Sequence, residues 1–234
     1  MSCNESATGR QYDRLFELRT SGESLIMTFP RQSEVISWAP LHGGMRTHAA
    51  HILIHSVEPN FNHLHREKVL RRAASKAGIQ GTIVGMFTTG SIHNYSVAES
   101  SYNDLYTSVV CMAGQTNLAA VGESVPFVER ISSDMKSGSI NLIIFVNYRL
   151  SHEAMLEAMA VATEAKVSVL YEFDFRSKQT RARATGGPTD CVAVVSGAER
   201  RYSYAGKATK WGELIGKACI ESLRAAFSKV NQTN

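Results

Sequence analysis

Apolar and polar residues along the chain form blocks that predict buried strands and docked helices. The clearest block covers residues 138–190, with an apolar stretch at 140–146, a helical pattern from Ser151 and a glycine-rich turn that ends at Asp190. The stretch at 140–146 is apolar on both faces except at Asn141. That pattern is typical of a strand covered on both sides. The block therefore predicts a strand, a crossover helix and a turn that leads into the next apolar run at 191–195.

The helix of this block carries a lysine among its apolar positions. Its apolar stripe contains Met155, Met159, Ala162 and Val169. At about 100° per residue, Lys166 lies on that same stripe. An ammonium there must extend to water along its methylene chain, form an ion pair or serve a functional site, because an unpaired buried charge is costly.

The remaining blocks predict the other elements of the fold. Two apolar stretches, at 23–29 and 34–38, are interrupted by Pro30 and predict a hairpin or two neighbouring strands. Helices are predicted over 65–77, 151–170 and 209–228, packed on a largely buried mixed sheet. The irregular order of strands and helices favours an α+β sandwich of mixed layers. We expect a single domain over 1–234, with a core of about 14–229 and frayed termini.

Small polar residues follow the predicted strands at several places. A loop with a glycine pair follows Pro40, and polar turns follow at 88–90, 115–117, 139–141 and 185–190. Rigid strand ends are common sites of pockets in layered folds. Glycine-rich turns also allow backbone N–H groups to approach an oxyanion closely. Ordinary turn chemistry is the simpler explanation of each turn taken alone.

Composition excludes several classes of function. The net charge of +4 is too small and too dispersed to indicate nucleic-acid binding. No apolar segment approaches the ~18 residues of a membrane span, and there is no signal region. Four well-separated cysteines without a CxxC pair indicate reduced thiols. These features predict a cytoplasmic protein with no membrane partner, and they leave the oligomeric state open, a homo-oligomer included.

Three histidines provide an alternative site. His48, His51 and His55 have the spacing of a metal site on a helix. The alternation of apolar residues around them favours a strand, on which only His51 and His55 share a face. No Asp or Cys lies among them, so we expect no metal here.

Six short motifs, in order and over residues 36–220, resemble the adenosylcobinamide amidohydrolase (CbiZ) family. They are SWAPLHGG at 37–44, VGMFTTG at 84–90, GSIN at 138–141, TEAK at 163–166, ATGGPTD at 184–190 and YAGKATKWGELIGKA at 204–218. Two positions depart from the family pattern, which usually has Asn at His42 and Thr at Gly187.

The resemblance implies hydrolysis of the amide that joins a propionate arm of the corrin ring to 1-amino-2-propanol. Adenosylcobinamide would give adenosylcobyric acid, which re-enters cobamide synthesis during salvage of vitamin B12. The corrinoid is then the small-molecule substrate, and no cofactor is expected.

Amide hydrolysis requires a nucleophile, oxyanion donors and an acid for the leaving amine. We expect Lys166 to be the base, because a lysine can take a proton from a hydroxyl or water as in Ser–Lys hydrolases. Thr189, Thr185 and Ser139 are the hydroxyl candidates, and Asp190 would hold the lysine or orient water. Glu164 enters the catalytic set through the TEAK motif alone, since its helix position predicts exposure.

The amide arms of a corrin need neutral hydrogen-bonding partners. The predicted substrate-binding residues are His42, Gly43, Gly44, Thr88, Asn117, Ser139, Asn141, Thr185 and Gly186. Two alternatives remain: a corrinoid-binding protein without catalysis, and an amidohydrolase with a histidine-bound metal.

Overall fold

The computed structural model describes residues 15–58, 61, 65–115, 117–124 and 139–232. Gly138, Thr116 and the N-terminal residues predicted to fray lie outside these ranges. Within them, the chain forms one eight-stranded sheet, three α-helices and a short 3-10 helix at Ile92–Asn94. The strands are β1 Glu17–Ser21, β2 Ser24–Ser37, β3 Gly44–Ser56, β4 Thr82–Thr88, β5 Ser96–Tyr102, β6 Leu105–Ala113, β7 Ile140–Leu150 and β8 Cys191–Tyr202. The helices are α1 Arg66–Lys76, α2 His152–Glu172 and α3 Lys210–Gln232.

The sheet is mixed, and its order explains the placement of two of the helices. The strand order is β4-β3-β2-β8-β7-β6-β5, with β1 paired to β2. Two neighbouring pairs, β3 with β4 and β7 with β8, are parallel. Parallel neighbours need a crossover connection, which α1 and α2 provide. The predicted α+β class with a largely buried mixed sheet is confirmed.

Strand β2 joins two halves of the sheet. Its first part pairs with β1 as far as Thr28, and its second part pairs with β8 from Glu34 onward. Between them the register against β3 shifts, and Pro30 lies where neither β1 nor β8 pairs with the strand. Proline is tolerated at such an unpaired, bulged edge. The predicted break at Pro30 is therefore wrong, because the two apolar stretches form one bent strand.

Because of this bend, the two half-sheets face each other across a common core. Residues of β3 and β4 such as Ile52 and Met86 belong to the same hydrophobic cluster as Val110 of β6 and Ile143 of β7. Helix α1 covers the outer face of one half through Leu70. Helices α2 and α3 cover the outer face of the other half. The fold therefore has four layers. The two half-sheets form the inner layers, α1 forms one outer layer, and α2 and α3 form the other.

The helices follow from their sequences as expected. Ser151 caps α2 by accepting a hydrogen bond from the Ala154 N–H at 3.2 Å, and the predicted apolar stripe is buried. Thr209 caps α3 in the same way, through the Gly212 N–H at 3.1 Å. Strand β5 carries the polar sequence SVAESSY and has no counterpart in the sequence prediction. None of the helices in the described ranges is long and apolar enough to span a membrane.

Candidate active site

A buried ion pair lies where α2 meets the start of β8. Lys166 Nζ lies 2.5 Å from Asp190 Oδ2, and the two side chains are only 8% and 7% exposed. Lys166 lies in the apolar stripe of α2, which packs on the sheet. Three outcomes are predicted for this lysine. The structure excludes extension of its ammonium to water and identifies Asp190 as its ion-pair partner. Since the pair is shielded from solvent, its electrostatic attraction is strong.

Asp190 is held by the sheet on its other side. Its Oδ1 accepts a hydrogen bond from the Ile140 N–H at 2.7 Å, at the first residue of β7. Its backbone carbonyl accepts a hydrogen bond from Trp38 Nε1 at 2.7 Å. Burial raises the pKa of this carboxyl group, and the neighbouring Lys166 partly offsets that effect. Such a carboxyl binds a proton more readily than an exposed one.

Gly186 closes over the ion pair. A Cβ atom at this residue would lie 2.5 Å from Asp190 Oδ2 and 2.8 Å from Lys166 Nζ. Its carbonyl accepts a hydrogen bond from Ala119 N–H at 2.8 Å, which fixes the turn. Glycine is required here for close approach, because any side chain would displace the pair.

The segment 117–124 is attached to the same glycine-rich turn. Thr185 N–H donates to the Ala119 carbonyl, and Thr185 Oγ1 accepts from Val121 N–H at 2.9 Å. Asn117, half-buried, lies at the start of this segment. Thr189, also half-buried, directly precedes Asp190. The structure therefore brings these predicted polar residues to one end of β8.

Ser139 and Asn141 face the opposite side of β7, toward the core between the half-sheets. Ser139 Oγ and Asn141 Nδ2 both donate to the Phe87 carbonyl, at 3.1 and 2.8 Å. Both side chains are buried, and Asn141 Oδ1 has no hydrogen-bond partner among the described residues. Thr88, next to Phe87, is also buried and accepts from Gly90 N–H. These contacts join the end of β4 to the start of β7. The Ile140 N–H, between Ser139 and Asn141, binds the Asp190 carboxylate.

Of the predicted residues at 42–44, Gly44 pairs with Ser37, the residue before Trp38, whereas the His42 side chain binds a different part of the sheet. His42 hydrogen-bonds the Ile83 carbonyl through Nδ1 at 2.9 Å and Arg71 through Nε2 at 3.1 Å. Ile83 precedes Phe87 by four residues of β4, which is about 13 Å along a strand. Because arginine can only donate, Nε2 accepts and Nδ1 donates. The ring nitrogens of His42 are thus both engaged away from the ion pair.

The backbone explains the departure at 42 and leaves the one at 187 without a structural reason. His42 has φ of 54°, a left-handed conformation in which Asn, Asp and His are enriched. His42 therefore fits where the family usually has Asn. At Gly187, the carbonyl accepts from the Asp190 N–H at 3.4 Å, a contact that any residue could make.

Glu164 is not part of the ion-pair site. Its side chain is 55% exposed and binds Lys207, 2.6 Å away. The exposure expected from its helix position is confirmed. Glu164 lies on the exposed face of α2, whereas Lys166 lies on the buried face.

The histidine alternative is not supported by the geometry. His51 uses both ring nitrogens, on Thr28 Oγ1 at 3.0 Å and on the Gln80 carbonyl at 2.9 Å. His55 Nδ1 binds Ser24 Oγ at 2.9 Å. Among the residues that the structure describes, no group of three or more His, Cys, Asp or Glu could hold a metal ion.

A cysteine nucleophile is also unsuited to this site. Cys191 directly follows Asp190, but burial raises the pKa of its thiol to about 12. The thiolate, which is the reactive form, is therefore scarce at neutral pH.

Trp38 is a site neighbour that the sequence prediction did not single out. Its indole donates to Asp190, and half of its side-chain surface is exposed. The signal in the sequence was a tryptophan directly before the Pro-containing loop at 39–44, but burial is the usual fate of tryptophan.

Comparison with known proteins identifies the family. Residues 9–234 match the family model for adenosylcobinamide amidohydrolase, CbiZ. An adenosylcobinamide amidohydrolase of Methanosarcina mazei is 28% identical over 197 residues, which cover 80% of this chain and 86% of that protein. An uncharacterised protein of Methanocaldococcus jannaschii is 31% identical over 170 residues, covering 66% of this chain and 67% of that protein.

A crystal structure of a protein from Pyrococcus horikoshii OT3 aligns with 88% of this chain and 77% of that chain. The TM-score is 0.43 and the identity is 10%.

The chain belongs to the adenosylcobinamide amidohydrolase family, because the family model covers nearly its whole length. It is therefore a hydrolase that acts on an amide bond.

Proposed function

We propose that this chain cleaves adenosylcobinamide at the amide between a propionate arm of the corrin ring and 1-amino-2-propanol. The products are adenosylcobyric acid and 1-amino-2-propanol, and the acid re-enters cobamide synthesis during salvage. Membership of the family supports the substrate class. The observation that carries the proposal is the buried pair of Lys166 and Asp190 beneath a glycine-rich turn.

Lys166 and Asp190 act as one proton-transfer unit in this proposal. Asp190 takes a proton from the ammonium, which leaves a neutral amine on Lys166. That amine takes a proton from the attacking water or from the Thr189 hydroxyl as the new bond to the amide carbon forms. The lysine then gives a proton to the departing aminopropanol nitrogen as the C–N bond breaks, so the proton balance closes within the pair. On the Thr189 route the loss of aminopropanol leaves an ester on Thr189, and a water deprotonated by the same amine then cleaves this ester, which releases the acid and returns the proton to the Thr189 oxygen.

The raised pKa of Asp190 supports this exchange, because such a carboxyl accepts a proton more readily than an exposed one. The hydrogen bond from Ile140 N–H keeps the carboxylate in place throughout. Shielding from water strengthens each of these contacts.

Substrate contacts fall to the half-buried residues of the site. Thr185, Thr189 and Asn117 lie half-buried on the turn and the segment attached to it, and we assign them to the amide arms of the corrin. Ser139 and Asn141 are buried against the Phe87 carbonyl, so we assign them to positioning the end of β4. Their role is thus to hold the end of β4 against the start of β7.

The direct test is incubation of the purified chain with adenosylcobinamide, followed by mass spectrometry for adenosylcobyric acid and aminopropanol. The proposal predicts that both products appear in equal amounts. A corrinoid-binding protein without catalysis would change the visible spectrum of the corrinoid and release no aminopropanol. That outcome would refute the proposed reaction.

Exhaustive chelation provides a separate control. Because the base in this proposal is a lysine, chelation should leave the rate unchanged. A loss of activity that zinc restores would instead support the metal-dependent alternative.

A further inference from the structure

Trp38 presents a fixed aromatic surface beside the ion pair. Its side chain is 50% exposed, although the other tryptophan of the chain, Trp211, is 2% exposed in the core. Trp38 Nε1 donates to the Asp190 carbonyl at 2.7 Å. The Asp190 carboxylate at the same time binds Lys166. One residue therefore connects the exposed indole with the buried amine.

The backbone on both sides of Trp38 is anchored. Ser37, which precedes it, pairs with Ala193 of β8. Ala39 and Leu41, which follow it, are 7% and 1% exposed. Leu41 also exchanges two backbone hydrogen bonds with Gly85 of β4, at 3.2 and 3.0 Å. The indole is thus held in place before any ligand arrives, which lowers the entropic cost of binding.

We propose that Trp38 is a positioning residue that contacts the corrin ring of the substrate and holds the scissile arm over Lys166 and Asp190. This inference rests on the proposed function, because the ring is the part of adenosylcobinamide that remains outside a buried site. A corrin is a large conjugated ring with apolar methyl groups at its periphery. An indole offers a flat apolar surface of matching chemistry. The uncharged indole also suits a ring whose arms are neutral amides.

Kinetics of two variants separate the ring contact from the hydrogen bond. Trp38→Ala removes both, and Trp38→Phe keeps a flat ring but loses the indole N–H. We expect Trp38→Ala to raise KM for adenosylcobinamide about tenfold with kcat changed less than about threefold, as for the loss of one aromatic contact. Trp38→Phe should restore most of the KM. Tyr102→Ala is the matched control, because Tyr102 is 52% exposed and lies on β5.

Hydroxyl-radical footprinting tests the contact in the unaltered chain. Adenosylcobyric acid, which retains the corrin ring, should protect Trp38 from oxidation at least threefold, with Tyr102 unprotected. This measurement decides the matter even if Trp38→Ala does not fold.

If the wild-type chain turns over adenosylcobinamide and the folded Trp38→Ala variant has the same KM, the role of Trp38 is overturned and the proposed function stands. Equal oxidation of Trp38 with and without bound adenosylcobyric acid would lead to the same conclusion. Absence of both turnover and corrinoid binding in the wild-type chain would refute the proposed function, and the inference with it.

Discussion

Gly186 shows how a single residue shapes the site. The ion pair of Lys166 and Asp190 occupies the volume that a side chain at 186 would need. The backbone there does not have a positive φ, so space and not conformation is the constraint. A motif of two glycines in the sequence indicates a turn, but it does not reveal which of them touches a functional group.

We predict that Gly186→Ala lowers turnover of adenosylcobinamide by at least about tenfold, because the methyl group would separate Lys166 from Asp190. Steady-state kinetics on the purified variant provide the measurement. Gly216→Ala, in α3, is the control, since its Cβ would meet only Val161 of α2 at 3.6 Å. Alanine also favours a helix over glycine, so this control should be as stable as the wild type or more so. Full activity in Gly186→Ala would show that the turn is not in contact with the working site.

Histidine side chains bind across the hairpin of β2 and β3. Thr28 pairs with His51 and Ser24 pairs with His55, and each pair is joined by a side-chain hydrogen bond. The histidines that suggested a metal site in the sequence thus hold two strands together. Burial lowers the pKa of both histidines below 6.5, against the opposing effect of nearby backbone carbonyls.

The lowered values define the sign of a pH effect. Because the folded-state pKa lies below the unfolded value near 6.5, the unfolded chain binds protons first as pH falls. The free energy of unfolding should therefore be unaffected by these groups above about pH 7 and should decrease as the pH falls below about 6.5. Urea unfolding at several pH values measures the effect. A His51→Gln/His55→Gln double variant should show a shallower decrease, and His48→Gln, at an exposed position of β3, should not.

A carboxylate of α2 holds the turn that leads into α3. Glu157 accepts hydrogen bonds from the Ala205 and Gly206 N–H groups, at 2.7 and 3.0 Å. A Cβ atom at Gly212 would lie 2.1 Å from the Gly206 carbonyl. The motif at 204–218 is thus explained by the docking of α3, with Trp211 buried beneath it.

Glu157→Ala should lower the free energy of unfolding by about 2 kcal/mol, the usual range for hydrogen bonds to a charged group. Chemical denaturation gives the value. Glu221→Ala, at an exposed position of α3, should change it by less than about 0.5 kcal/mol. Equal stability of the two variants would mean that the turn docks without Glu157.

At the scale of the whole molecule, the fold and the site were predictable to different degrees. Periodicity identified all three helices and the strands with long apolar runs, because burial selects those residues directly. It missed β5, whose residues are polar, and it divided β2 at Pro30, since bulge geometry depends on the neighbouring strands. Lys166 was identifiable as a charge on an apolar stripe, and Asp190, 24 residues away, was expected either to hold it or to orient water; the fold brings the two side chains into contact.

The same limit applies to residues found through motifs alone. His42 and Glu164 belong to segments that match the family, yet they bind Ile83 and Lys207, away from the ion pair. A match of motifs does not distinguish a residue that shapes the backbone from one that meets the substrate. Trp38 is the converse case, since only its hydrogen bond to Asp190 reveals its location.

The most direct measurement is the turnover of adenosylcobinamide by Lys166→Met beside Lys217→Met. Both variants lose one ammonium, but Lys217 is 61% exposed on α3. Because burial already raises the pKa of Asp190, this carboxyl can take up a proton when its partner is removed, which limits the loss of stability. Circular dichroism checks that both variants are folded. We predict that Lys166→Met loses at least about 100-fold in kcat, as for removal of a general base, and that Lys217→Met stays within about twofold of the wild type. A folded Lys166→Met enzyme with near wild-type kcat would contradict the assignment of the buried pair as the catalytic unit.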